Sequence, residues 1–185
     1  MSLASRVIAP AFATLFSCLF FSLSATEAVG GGAPYTVKCP AGLVVSGLEG
    51  RTGAWIDDFQ VLCNNMSGVE RKAVPSVGYS PGGSFTRAVC PALSGVISME
   101  FDYVDSGGGV QVVNKIKLTC GDFIDSAEEP YRPVYGQNDE GSSRYDYTVS
   151  CSGRNFVNQL NGRAWTYIDS IDNVGCLNIR DLGNN

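Results

Sequence analysis

Trp55-Ile56-Asp57-Asp58-Phe59-Gln60-Val61-Leu62-Cys63, Val112-Val113-Asn114-Lys115-Ile116-Lys117-Leu118-Thr119-Cys120 and Tyr167-Ile168-Asp169-Ser170-Ile171-Asp172-Asn173-Val174-Gly175-Cys176 end alike. Each sets a branched apolar residue before Asp or Asn and closes on cysteine. The closing cysteines stand 57 and 56 residues apart, in register with that shared step, which marks an internal repeat. Units of this length are supersecondary pieces that bury a core only by packing on one another.

Outward from these endings, apolar residues fall mainly on every second position, as in Phe59 to Cys63, Ile116 to Cys120 and Gly95 to Tyr103. That period puts one face of a strand on a core and the other in water. Turn chemistry separates the runs at Ser80-Pro81-Gly82-Gly83, Ser106-Gly107-Gly108-Gly109 and Asn161-Gly162. No window has helical period, so the chain is predicted to be all-β. The connectors 64–84 and 121–146 carry Pro75, Pro81, Pro130 and Pro133, yet Tyr131, Tyr135, Tyr145 and Tyr147 make the second too aromatic for a free linker. Each unit has room for about four strands of five or six residues. The expected architecture is a β-prism: three four-stranded antiparallel sheets closed around a pseudo-threefold axis, with few open edges. A trefoil barrel is the main competitor, but it repeats at shorter intervals. The expected organisation is one domain, 29–185, with repeats at about 33–84, 85–145 and 146–185.

Arg6, the apolar run Val7 to Leu23 and the small-residue stretch Ser24 to Ala28 have the layout of a signal peptide, 1–28, cleaved after Ala25 or Ala28. A retained membrane anchor is the alternative. Cleavage removes Cys18 and turns seven cysteines into six, two per repeat. In an oxidising compartment the economical pairing is within repeats, Cys39 with Cys63, Cys90 with Cys120 and Cys151 with Cys176, although six cysteines leave the connectivity open. With no Cys-x-x-Cys and no histidine, no metal or other cofactor is expected. A net charge of −5 argues against nucleic acid as a partner, and no Lys/Arg run would hold an anionic membrane. The expectation is a secreted protein without membrane insertion; its oligomeric state is open.

Cys39-Pro40-Ala41-Gly42, followed by Asp57-Asp58 and the strand to Cys63, resembles the repeat unit of the vitelline membrane outer layer protein I family. The second unit repeats the opening as Cys90-Pro91; the third departs from it with Cys151-Ser152. The resemblance implies a secreted, disulfide-bonded β-prism. More locally, Gly53-Ala54-Trp55-Ile56-Asp57 is similar to the Gly-x-x-x-Asp loop of jacalin-related lectins, where backbone N–H groups and the carboxylate grip sugar hydroxyls. This likeness implies glycans as partners and a carbohydrate site at Gly53, Ala54, Trp55 and Asp57. Trp165 and Asp169 form a secondary candidate, with Trp165 in the glycine position; the second repeat has Val110 and Asn114 there.

The chemistry of the loop is coherent by itself. A sugar offers vicinal hydroxyls and an apolar ring face, so it needs an ionised acceptor, backbone donors and an aromatic surface close together. Two plainer readings compete with it. Asp57, Asn114 and Asp169 recur before strands, where Asx side chains often bond nearby backbone, and Trp55 and Trp165 suit packing as well as stacking. Ile56, Val113 and Ile168 read as core, while Arg51 and Arg163 either line a site or pair with carboxylates. Catalysis has little to stand on. Without histidine there is no Ser-His or Cys-His nucleophile, and no catalytic residue is assigned. A glycosidase would need Glu49 facing Asp57 or Asp58, and adjacent strand residues point to opposite faces. Asp102 and Asp105 fall far short of a calcium loop. The fold expectation therefore outruns the functional one: a non-catalytic carbohydrate-binding protein, with an extracellular coat or matrix protein as the alternative.

Overall fold

The strands, in chain order, are β1 (Ala33–Lys38), β2 (Val44–Thr52), β3 (Asp58–Asn64), β4 (Arg71–Lys72), β5 (Val77–Gly78), β6 (Ser84–Val89), β7 (Ser94–Asp105), β8 (Gln111–Asp122), β9 (Val134–Gly136), β10 (Tyr147–Ser150), β11 (Asn155–Ala164) and β12 (Ile168–Asn178). A 3-10 turn, Ile179–Asp181, follows. The computed structural model describes residues 31–182 apart from 69, 74, 80, 107–109, 125–126, 130 and 137–146. The expected signal segment lies outside the described residues, among which no helix is long and apolar enough to cross a membrane.

Three long hairpins, β2–β3, β7–β8 and β11–β12, each found one antiparallel sheet. Their alternation works as the sequence predicts: Leu48, Phe59, Val61, Met99, Phe101, Ile116, Leu118, Leu160 and Ile171 all turn into one interior cluster fed by all three sheets. Each such side chain contributes roughly 1.5–3 kcal/mol on burial. The architecture is a β-prism.

Sheets and repeats do not coincide. The short strand ahead of each hairpin joins the hairpin of another repeat: β1 pairs with β11, β6 with β2 and β10 with β7. Each handed-over strand ends in the same way. Hairpin strands β2, β7 and β11 carry a bulge that leaves Ser46, Ile97 and Asn158 out of the ladder to their hairpin partners. The carbonyls of these residues accept the N–H of Cys90, Cys151 and Cys39 at 2.8–2.9 Å. The disulfides Cys39–Cys63, Cys90–Cys120 and Cys151–Cys176 then tie the end of each handed-over strand to the hairpin that follows it. Each bond therefore staples two adjacent sheets.

The expected four strands per sheet are realised unevenly. In the second sheet the order is β10-β7-β8-β9. In the first, the outer strand is split into β4 and β5, both paired with β3, and Pro75 between them has no N–H to keep the ladder running. Among the described residues the third is β1-β11-β12, and the 3-10 turn follows β12 in place of an outer strand.

The cysteine turns sit at one end of the prism, over a second apolar cluster of Val44, Phe123, Phe156, Ile179 and Leu182. Gly95 is small there because a Cβ would press to within 3.0 Å of Phe123 and Phe156. The turn into β2 uses Gly42 at φ 72°, and the matching residue before β7 is Leu93 at φ 60°. Leu93 is the one non-glycine at positive φ among the described residues, and a side chain in that region costs roughly 1–2 kcal/mol. Leu93→Gly should therefore stabilise the protein by about 1 kcal/mol, because glycine's extra backbone entropy offsets part of the relief. Urea denaturation should show a higher midpoint at unchanged slope.

Candidate functional site

The other end of the prism carries the three hairpin loops, drawn together at the axis. Ile56 N–H donates to the carbonyl of Val113 (3.1 Å), and Ile168 N–H donates to that of Ile56 (3.2 Å). All three apolar side chains are fully buried, as the sequence predicts. The Asx residue that follows each one is thereby carried inward as well. Asp57, Asn114 and Asp169 are 5%, 8% and 7% exposed. Each has one buried side-chain oxygen without a hydrogen-bond partner: Asp57 Oδ2, Asn114 Oδ1 and Asp169 Oδ2. A buried oxygen left without a donor costs about 1–3 kcal/mol. The same feature recurs at the matched position of all three hairpin loops.

In the first loop, the Gly53 N–H donates to the Trp55 carbonyl (2.8 Å), and the Asp57 N–H donates to the Arg51 carbonyl (3.0 Å). The turn brings Gly53 and Asp57 face to face: a Cβ on Gly53 would lie 3.5 Å from Asp57 Oδ2. The opposite wall is Gly83, at φ 69°, where a Cβ would stand 2.3 Å from the same oxygen. Asp57 is therefore recessed between two glycine backbones, and its carboxylate does not stand open beside Trp55. Trp55 is half-buried and meets the edge of Tyr167 at 4.9 Å, tying the first loop to the third. Ala54 is exposed at the rim.

The third loop is built on the same plan. Gly32, just ahead of β1, lies against Asp169, where a Cβ would be 2.1 Å from Oδ2. The Trp165 N–H donates to the Tyr167 carbonyl (3.0 Å), as the Gly53 N–H does to that of Trp55, and Arg163 lies nearby, donating from Nη1 to the Gly32 carbonyl (2.9 Å). Trp165 is 80% exposed. In the second loop, exposed Val110 and buried Asn114 occupy the corresponding places.

In the sequence Gly83 reads only as a turn residue, and Gly32 carries no signal of its own. Each closes a Gly-Gly pair directly ahead of a handed-over strand, β6 or β1, and each reaches the Asp of the hairpin that strand joins. That paired glycine step is the signal that could have found them. The equivalent position ahead of β10 is outside the described residues.

The acidic pair considered for catalysis is separated. Asp57 is buried under Gly83, while Asp58 lies half-buried on the outer sheet face, its Oδ1 accepting the Arg51 N–H (3.0 Å). Glu49 is held by Lys72 and by Arg87. Among the described residues no group of three metal-ligating side chains occurs.

The fold has known counterparts. A variant of Malaysian banana lectin aligns at a TM-score of 0.56 and 18% identity, over 82% of this chain and 93% of that one. A mannose-specific jacalin-related lectin from Morus nigra, solved with mannose, aligns at 0.52 and 13% identity, over 76% and 84%. Calystegia sepium agglutinin aligns at 0.55 and 13%, over 80% and 91%. No protein-family model and no curated protein matches the sequence. At these identities the likeness establishes the β-prism fold that the chain shares with jacalin-related lectins.

Burial raises the pKa of Asp169 above its ordinary value, against the nearby backbone N–H groups of Gly32 and Trp165 and the charge of Arg163, which lower it. A raised native pKa means the folded state holds its proton to higher pH than the unfolded chain does. Stability is then lost as pH rises through that window, and the ionised group remains a cost at neutral pH. Asp169→Asn should therefore unfold at higher urea than wild type at pH 7. The difference should vanish below about pH 4, where both forms are neutral. Asn114 shows that the position accepts an amide.

Proposed function

We propose that this is a secreted, non-catalytic carbohydrate-binding protein whose primary site lies at the loop end, at Gly53, Ala54, Trp55, Asp57 and Gly83. The observation that carries the reading is the Asp57 carboxylate, set between two glycine backbones with an oxygen that no group among the described residues satisfies. That oxygen exposes less than 1 Å², so a sugar hydroxyl meets the carboxylate at its other oxygen, Oδ1. Glycine walls admit a ring closely and leave their backbone groups free of Cβ screening. Asp169, Gly32 and exposed Trp165 form the secondary site. Support for the ligand class comes from the Morus nigra lectin, which is mannose-specific. The apolar leader and three disulfides support secretion. The absence of histidine and the ion-paired state of Glu49 support a non-catalytic role.

A glycan array and calorimetry provide the test. Wild type should bind neutral glycans, and Asp57→Ala should lower affinity about tenfold or more, the scale of a lost charge-assisted hydrogen bond. The variant should melt no lower than wild type, because it removes a carboxylate with an unsatisfied oxygen. Binding unchanged in the folded variant would sink the site.

A coat or matrix protein resembling vitelline membrane outer layer protein I is the second reading. It is favoured by the recessed position of Asp57 and the packing of Trp55 on Tyr167. It requires that no glycan on the array be bound.

A further inference from the structure

The outer face of the first sheet carries a cleft of about 270 Å³ whose floor includes Arg51, Asp58 and Gln60 and whose sides include Tyr79 and Phe85. Tyr79 is 83% exposed and Phe85 69%. Two aromatic side chains this open, lining one cleft, offer apolar surface that the fold itself does not use.

The floor is furnished for hydroxyls. Arg51 is exposed and has no ion pair among the described residues. Asp58 accepts one backbone N–H on Oδ1, and a carboxylate has further acceptor capacity. Gln60 donates from Nε2 to the Ala73 carbonyl, and its own amide oxygen is an acceptor. Donors, acceptors and ring surface therefore meet in one cleft of a size near the lower end of ligand sites.

The cleft begins where the loop site ends. Arg51 and Asp58 flank the turn that holds Gly53 and Asp57, and Phe85 follows Gly83 by two residues. Gly78, also in its lining, packs its backbone on Asp57, where a Cβ would stand 2.4 Å from the carbonyl oxygen. The Tyr79 N–H donates to the Thr166 carbonyl in the third loop (3.3 Å), which carries exposed Trp165 next door.

We infer that the cleft is the continuation of the carbohydrate site, taking the further residues of a neutral oligosaccharide whose terminal sugar is held at Asp57. This rests on the function proposed above. A neutral oligosaccharide fits because the cleft selects for hydrogen bonding and not for charge: Glu49 is held by Lys72 and Arg87, and Asp58 and Arg51 face the cleft with opposite charges. A lipid or apolar peptide is poorly served by a floor of charges and amides.

The test compares each neutral monosaccharide on an array with its matching di- to pentasaccharides, for wild type, Asp57→Ala and the double variant Tyr79→Ala/Phe85→Ala. Both aromatic residues are exposed, so the double variant should keep the wild-type melting temperature. Wild type should bind the oligosaccharide more tightly than the monosaccharide. The double variant should lose about tenfold for the oligosaccharide, the scale of lost aromatic contacts, and nothing for the monosaccharide. Asp57→Ala should lose both. Equal oligosaccharide affinity in wild type and the double variant would overturn the cleft and leave the loop site standing. Loss of monosaccharide binding in the double variant would overturn it too, by placing both rings in the loop site. No carbohydrate bound by wild type would overturn both.

Discussion

The handover of one short strand from each repeat to a neighbouring hairpin is the constraint on which the molecule depends. Among the described residues no α-helix covers the apolar faces of the three hairpins, so they cover one another around a shared axis. Strands β1, β6 and β10 close that ring by leaving their own repeats. The closure is fixed at three equivalent places, where a bulge turns one hairpin carbonyl towards a cysteine N–H and that cysteine is bonded to the next sheet. The bulge gives up a ladder position in its own hairpin and secures the neighbouring strand with it.

The same handover builds the loop end. Gly83 and Gly32 reach Asp57 and Asp169 only because β6 and β1 run into hairpins other than the ones they precede. The threefold plan is then broken where chemistry differs: Gly53, Val110 and Trp165 stand at the same loop position, and Asp, Asn and Asp follow them. Symmetry serves the core, and its local violation distinguishes one loop from another.

Much of the fold was legible because burial writes a period into the chain. Phe59-Gln60-Val61 and Ile116-Lys117-Leu118 declare which face is inside, and the recurrence of Ile56, Val113 and Ile168 announces three equivalent positions on an axis. The uneven outer strands were not legible, since Pro75 and the 3-10 turn after β12 interrupt pairing at edges where no burial pattern is imposed. For the site, Gly53 and Asp57 were found as a local spacing. The depth of Asp57, the engagement of Trp55 by Tyr167 and the role of Gly83 were not, because each involves a contact between different loops or repeats.

By itself, the sequence determined an all-β chain of three similar units with two cysteines in each, because alternation and recurrence are local properties of side-chain polarity. Only the tertiary structure decided which strand enters which sheet, which glycine covers which carboxylate, and that Asp58, Tyr79 and Phe85 share one cleft beside them. Those choices turn on backbone hydrogen bonds and on space for a Cβ between distant residues, as where Arg163 bonds Gly32 from 131 positions away. Neither quantity leaves a periodic trace in the chain.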